Sequence, residues 1–175
     1  MKKFAMAIIL ILAGCDTASV NQPKEVQQQV WLEEESSQRG IDFQWVSGDV
    51  GTFNMPEIIG GGAAAIDYDN DGDFDLYFVQ GGHLDSTDVE QNVLYNNDNG
   101  MFTDVTEDAR VGDEGYGMGV AVGDYDNDGF TDIYVTNVGK NTLLHNNGDN
   151  TFSDVTENAG VGDNGWGAST AFVDI

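Results

Sequence analysis

The chain is poor in basic residues, proline and cysteine. It has 6 Lys and Arg against 31 Asp and Glu in 175 residues, and a formal net charge of −25. A charge of this sign and size repels nucleic acids and anionic membrane surfaces, which excludes both as direct electrostatic partners. A single cysteine, Cys15, excludes a disulfide within the chain. The hydrophobic share of 40% is too high for a disordered acidic tail, so we expect a folded acidic protein.

The cysteine follows a short apolar segment near the N-terminus. Two lysines precede the unbroken apolar run 4–12, which is too short to span a bilayer but has the length of a signal-peptide core. The next residues, Leu-Ala-Gly-Cys15, resemble the bacterial lipobox, in which the signal is cut before the cysteine and the thiol is lipidated. We therefore expect residues 1–14 to be a lipoprotein signal peptide and Cys15 to be the lipidation site. An ordinary secretory signal is the alternative.

This N-terminus predicts an exported protein of the bacterial cell envelope that meets the membrane only through its lipid anchor. By resemblance to enteric lipoproteins, Asp16 after the lipidated cysteine favours the inner membrane. That sorting rule is not universal, so the inner and outer membranes both stay open. Residues 15–29 are polar and rich in glutamine, which indicates a flexible tether between the lipid and a folded part at residues 30–175.

Two nine-residue stretches, 67–75 and 124–132, carry the pattern Asp-Tyr-Asp-Asn-Asp-Gly-x-x-Asp, and a third copy begins at Asp174. Alternate residues of a tightly coiled loop point inward, so the oxygens at positions 1, 3 and 5 converge on one hard cation, and glycine at position 6 permits the bend. Position 7 usually adds a backbone carbonyl. Without a cation the clustered carboxylates repel one another, so an empty loop is expected to be poorly formed. The pattern predicts Ca²⁺ sites; solvated acidic turns are the alternative.

The loops lie in a repeat of about fifty residues. Residues 102–107 and 152–157 differ by one substitution, and the acidic loops stand before apolar, strand-like segments. Four short strands per unit, with the acidic loop between the first two, are typical of an antiparallel propeller blade. We place the repeats at about 60–116 and 117–166, with a third beginning at about 167. The predicted strands are 40–46, 60–66, 76–79, 92–95, 101–105, 117–122, 133–135, 142–145 and 152–156. No helix is predicted after the signal.

These motifs resemble the FG-GAP/VCBS repeats of integrin-type β-propellers, from about Trp31 to the end of the chain. More narrowly, they resemble bacterial proteins of the cartilage-acidic-protein group, which often carry a C-terminal ASPIC/UnbV domain. The resemblance implies an all-β fold, here a partial β-propeller of about two four-stranded blades and the start of a third, with calcium in the loops. The implied side-chain ligands are Asp67, Asp69, Asp71, Asp75, Asp124, Asp126, Asp128 and Asp132. Asp73 and Phe130 would coordinate through their carbonyls, and Asp174 would begin a third site.

Two complete loops are too few to close a ring of blades. An open propeller exposes sheet edges and its apolar axis. We therefore expect these residues to be the N-terminal piece of a longer protein. A genuine stop codon directly after Ile175 in an intact locus would contradict that expectation.

Other readings of the motifs are weaker. An EF-hand needs a glutamate at position 12 and flanking helices, whereas Phe78 and Val135 stand there. Residues 115–119 suggest a nucleotide-binding glycine loop, but no helix follows them. His83 and His145 have no obvious acid partners in the sequence, which favours solvated or structural roles. Three aromatic residues are expected to pack between blades rather than to line a sugar-binding face; these are Trp45, Tyr116 and Trp166.

Binding is favoured over catalysis. Carboxylates held ionised by a cation are poor general acids, and the sequence shows no nucleophile–base–orienter arrangement. The leading hypothesis is a calcium-binding, lipid-anchored envelope scaffold for adhesion or for binding an extracellular or envelope protein or glycan. A propeller enzyme with its catalytic site in further blades or a C-terminal domain is the alternative, and a purely structural envelope protein is the third.

Overall fold

A computed structural model of the protein describes residues 32–84 and 90–173. Within these ranges the chain forms two four-stranded antiparallel sheets, with strand orders β1-β2-β3-β4 and β5-β6-β7-β8. The strands of the first sheet are β1 (Ala63–Ile66), β2 (Asp75–Phe78), β3 (Val93–Asp98) and β4 (Met101–Asp104). Those of the second are β5 (Tyr116–Gly123), β6 (Asp132–Val138), β7 (Thr142–Asn146) and β8 (Phe152–Asp154). This is the topology predicted for two propeller blades, which do not close into a ring.

Each sheet is a meander in which strands that follow one another in the chain are neighbours. In the first sheet β3 and β4 are joined by Asn99 and Gly100, which both have positive φ (53° and 86°). Such a turn matches the twist of an antiparallel pair. In the second sheet β5 is longer, and a register shift lies between Gly117 and Gly119. Both sheets place the acidic loop between their first two strands.

The strand predicted at residues 40–46 is wrong. The segment has no regular strand pairing, although it lies against the first sheet. Its backbone bonds to the Gln80 side chain, with Val46 N donating to Oε1 at 2.7 Å and Nε2 donating to the Gln44 carbonyl at 3.0 Å. One backbone bond joins it to the segment after β2, from Gly82 N to the Val46 carbonyl at 2.8 Å. Phe43 stacks on Phe78, with ring centroids 4.8 Å apart. The alternating pattern therefore reflects side-chain packing without a hydrogen-bonded ladder.

The prediction that no helix follows the signal is also wrong. In the described ranges the chain has three short helices, α1 (Met55–Ile59), α2 (Thr106–Ala109) and α3 (Thr156–Ala159), besides a 3₁₀ turn at Ser37–Arg39. Helix α1 starts with a capping box formed by Asn54 and Glu57. Helices of one turn carry too little periodicity to be recognised from a sequence.

The sequence Asp-Val-Thr-Glu, which occurs twice, is explained by α2 and α3. In the first sheet Thr106 Oγ1 accepts a hydrogen bond from Leu94 N at 3.0 Å and donates one to Asp104 Oδ1 at 2.6 Å. In the second, Thr156 Oγ1 accepts from Leu143 N at 2.8 Å and bonds to Asp154 Oδ1. The threonine therefore fastens the helical turn to the third strand of its own sheet.

The apolar core lies between the two sheets. Tyr77 and Leu94 of the first sheet and Ile133, Val135 and Phe152 of the second are almost completely buried and belong to one cluster. Tyr77 is covered, whereas the equivalent Tyr134 of the second sheet is partly exposed. The second sheet therefore covers one face of the first.

The contact region between the two sheets, called the seam below, also contains polar contacts. Asn146 Nδ2 donates to the Tyr68 carbonyl at 2.8 Å, and Gly117 N donates to the Gln80 carbonyl at 2.9 Å. A Cβ on Gly117 would lie 2.2 Å from Val79 Cγ1, so only glycine fits this close approach of the two sheets.

None of the helices in the described ranges has the length and apolar character needed to cross a bilayer. The predicted signal peptide (1–14), the tether (15–29), Cys15, Trp31 and Asp174 lie outside the described residues.

Candidate metal centre

The first acidic loop, 67–75, connects β1 to β2 and is closed by its own carboxylates. Asp67 Oδ1 accepts a hydrogen bond from Asp71 N at 3.1 Å, and its Oδ2 accepts one from Gly72 N at 3.2 Å. Tyr68 N donates to Asp75 Oδ2 at 3.0 Å. The aspartate at position 1 therefore fixes the tip of the loop, and the aspartate at position 9 fixes the start of the loop.

The second loop, 124–132, connects β5 to β6 with the same contacts. Asp124 accepts from Asp128 N at 3.1 Å and from Gly129 N at 2.9 Å. Tyr125 N donates to Asp132 Oδ2 at 2.9 Å. The two loops therefore share one residue pattern and one hydrogen-bond pattern.

Backbone conformation explains the fixed residues at positions 4 and 6. Asn70 and Asn127 have φ of 58° and 62°, and Gly72 and Gly129 have φ of 95° and 93°. Asparagine tolerates the left-handed region better than most residues, and glycine occupies it at no steric cost. Together the two positions turn the chain so that positions 1, 3 and 5 face one another.

Each loop gathers three carboxylates. In the first, ligand oxygens of Asp67, Asp69 and Asp71 all lie within 4.8 Å of one another, and Asp124, Asp126 and Asp128 do the same in the second. Burial, and next the charge of neighbouring Asp71, raise the pKa of Asp69. Like charges at this separation favour a cation between them.

The position-9 aspartates lie deeper than the others. Asp75 and Asp132 have no exposed surface. Besides the bond from the tyrosine N–H at position 2, each accepts a second backbone bond. Asp75 Oδ1 accepts from Asn97 N at 2.8 Å, and Asp132 Oδ1 accepts from Asn146 N at 2.9 Å. Burial raises the pKa of Asp75 to about 6 and also raises that of Asp132. Both residues tie the loop to the third strand of their sheet.

The two position-9 aspartates differ in whether they join a group of possible metal ligands, and the position-7 residues bond to the loops through their backbone N–H. Asp75 lies outside the three-carboxylate group of its loop, whereas an Asp132 oxygen lies within 4.8 Å of ligand atoms of Asp126 and His145. At position 7, Asp73 N donates to Asp71 Oδ1 at 2.8 Å. Phe130 N likewise donates to Asp128 Oδ1 at 2.9 Å.

The prediction that His145 lacks acid partners is wrong. Its Nδ1 lies 3.1 Å from Asp132 Oδ1 and 3.8 Å from Asp126 Oδ2, and its Nε2 lies 3.8 Å from Asp128 Oδ2. Aligning the repeats would have indicated this role, because His145 directly precedes Asn146 on the strand next to the loop. His83, in contrast, is exposed.

Of the three aromatic candidates, Tyr116 and Trp45 pack against other parts of the chain, whereas Trp166 is largely exposed. Tyr116 is buried, and its hydroxyl donates to the Ser47 carbonyl at 2.9 Å. The indole of Trp45 lies against Gly61 and Gly81, where a Cβ would approach it to between 3.0 and 3.2 Å. Trp166 is 47% exposed and forms an isolated bridge with Val138. The glycine-rich stretch 115–119 enters β5 rather than a phosphate-binding loop.

The donor set fits a hard divalent cation. Carboxylate oxygens are the ligands that Ca²⁺ prefers. Asp69 Oδ1 is buried and has no hydrogen-bond partner, and a buried polar atom without a partner is costly. A cation held by Asp67, Asp69 and Asp71 would satisfy this oxygen and offset the charge that the loop concentrates.

The fold and the loops define the class: consecutive β-propeller-type blades, each with an aspartate-rich loop between its first two strands. The model of the FG-GAP-like repeat matches residues 67–135 and 124–175. The two matches together cover more than half of the chain, and the chain therefore belongs to the FG-GAP-like repeat family. Among curated proteins none matches the chain significantly.

Proposed function

We propose that the protein is a calcium-stabilised β-propeller scaffold of the bacterial cell envelope, anchored by a lipid on Cys15. It binds an extracellular or envelope protein or a glycan and serves adhesion or ligand binding. Membership in a repeat family whose propellers often serve binding supports the general role.

The calcium proposal rests on the equivalence of the two acidic loops, 67–75 and 124–132. Two loops repeat one hydrogen-bond pattern and each gathers three carboxylates. Asp69 Oδ1 in the first is buried without a partner. Calcium bound there would fix the turn between the first two strands of each blade. Because the loop is tied to the third strand through Asp75 or Asp132, the ion would hold the blade and its surface loops in register.

The anchoring proposal rests on the sequence of the N-terminus. Two lysines, the apolar run 4–12 and Leu-Ala-Gly-Cys15 form the order expected of a lipoprotein signal. A polar tether would then carry the blades away from the membrane surface. The net charge of −25 makes direct contact with anionic lipid unfavourable.

Titration calorimetry with Ca²⁺, together with thermal unfolding, tests the calcium proposal. We expect two equivalents to bind, with a dissociation constant of roughly 10⁻⁴ to 10⁻³ M, the range of extracellular calcium modules. Asp69→Ala and Asp126→Ala, which remove the ligand oxygens, should each remove one equivalent, since each loop has its own carboxylates. Asp98→Ala, which changes an exposed acid outside the loops, is the matched control and should keep both. Absence of heat and of any rise in melting temperature at millimolar Ca²⁺ would refute the proposal.

A further inference from the structure

The two acidic loops differ at one neighbouring position. Asn96 of β3 and His145 of β7 each directly precede the asparagine whose N–H bonds the position-9 aspartate of their sheet. They are therefore equivalent positions, one occupied by an amide and the other by an imidazole. This difference changes which ligand atoms the third strand offers to the acidic loop.

Asn96 offers its loop only a hydrogen-bond donor in the arrangement observed. Its Nδ2 donates to Asp69 Oδ2 at 3.1 Å. His145, in contrast, directs both ring nitrogens at carboxylates, with Nδ1 3.1 Å from Asp132 Oδ1 and Nε2 3.8 Å from Asp128 Oδ2. The first loop is thus surrounded by oxygen ligands, whereas the second has an available nitrogen ligand.

The imidazole of His145, on β7, forms a second ligand group with two aspartates of the loop. Ligand atoms of Asp126, Asp132 and His145 all lie within 4.8 Å of one another. The ring is 21% exposed, so it is partly shielded without being closed to an ion. Tyr125 lies edge-on to it, with centroids 5.8 Å apart at 85°, which limits the rotation of the ring. Asp132 is held by two backbone N–H groups. Two of the three ligands are therefore already oriented.

We propose that the second loop is a binding site for a borderline transition-metal ion, such as Zn²⁺, Co²⁺ or Ni²⁺, ligated by His145, Asp126 and Asp132. Imidazole together with carboxylates suits such ions, whereas all-oxygen sets suit Ca²⁺ and Mg²⁺. The first loop, with Asn96 at the equivalent position, is restricted to hard cations. This inference rests on the proposed role of the loop as a cation site, and it adds a selectivity that differs between the two blades.

Co²⁺ and Zn²⁺ binding to the purified protein tests the inference. We expect one equivalent of Co²⁺ with visible ligand-field absorption that Zn²⁺ displaces, and paramagnetic shifts of the His145 ring resonances on Co²⁺ binding that are larger than those of His83. His145→Asn, which copies the first loop, should weaken Co²⁺ and Zn²⁺ by at least about tenfold, the lower end of the loss seen when even a supporting contact of a metal site is removed. Its Ca²⁺ binding should be retained.

Asn96→His gives a second test that does not depend on the folding of the first variant. It should create a second Co²⁺ equivalent in the first loop. Equal Co²⁺ and Zn²⁺ affinities in the wild type and His145→Asn would overturn the inference. Two Ca²⁺ equivalents without any Co²⁺ or Zn²⁺ binding would overturn it while leaving the calcium proposal intact. Histidine-dependent Zn²⁺ binding without Ca²⁺ binding would refute the calcium proposal and support the inference.

Discussion

The ring of Tyr68 stacks on that of Phe152, with centroids 6.4 Å apart and an interplanar angle of 26°. Tyr68 is the second residue of the first acidic loop, and Phe152 starts the last strand of the second sheet. The same seam contains the hydrogen bond from Asn146 Nδ2 to the Tyr68 carbonyl. The acidic loop of one blade is therefore part of its contact with the next blade.

Phe152→Ala should destabilise the protein more than Phe102→Ala, its equivalent in the first sheet. Phe152 is 2% exposed and packs in the seam, whereas Phe102 is only partly buried. Removal of a buried phenylalanine side chain typically costs about 3–5 kcal/mol. Urea unfolding at one fixed calcium concentration measures both variants. Equal losses would show that the seam contributes little to stability.

Thr156→Val should reduce the free energy of unfolding by about 1–3 kcal/mol, because a buried N–H loses its acceptor. The change nearly preserves the shape of the side chain but removes the oxygen that accepts from Leu143 N. Thr103→Val is the control, since Thr103 lies exposed on β4. We expect the control to change stability by less than about 0.5 kcal/mol. A similar change in both variants, measured by chemical denaturation, would contradict the fastening role of Thr156.

Asp113 predicts a pH dependence of stability. Burial raises the pKa of this carboxyl, which accepts hydrogen bonds from Asn137 Nδ2 and Thr142 Oγ1. Between the ordinary pKa near 3.8 and the raised folded value, the native state binds more protons than the unfolded state. Stability therefore falls as the pH rises through this window. Asp113→Asn should lessen the fall, as measured by urea unfolding at a series of pH values without calcium. An unchanged slope would contradict the prediction.

Cys15→Ala should release the protein from membranes and abolish incorporation of labelled palmitate. The thiol is the only one in the chain, so the variant removes every site for thioether or thioester attachment. Cell fractionation with detergent controls measures the distribution. Unchanged membrane association in the variant would favour an ordinary secretory signal and a different means of attachment.

The sequence predicted the repeated parts of the fold well. Both acidic loops and most strands are encoded by local patterns that occur twice, so β2, β3, β6 and β7 lie close to their predicted ranges. The segment 40–46 was misassigned because its partner is the side chain of Gln80, 34 residues from Val46. Such a contact is invisible to a periodicity argument.

The candidate site was predicted in part for the same reason. The carboxylates at positions 1, 3 and 5 converge within a single turn of chain, so spacing alone locates them. Asp132 is joined to His145 only after β6 and β7 pair. Its burial, and the raised pKa that follows from it, depend on that pairing. The contribution of the neighbouring strand therefore required the structure.

The seam between the sheets has unlike sides. The first sheet contributes the Tyr68 ring and carbonyl, and the second contributes Asn146 and Phe152. A contact of this kind is heterologous, so it has a direction and cannot join two identical faces by a twofold axis. Blades joined through this contact are therefore all added head to tail, in one direction.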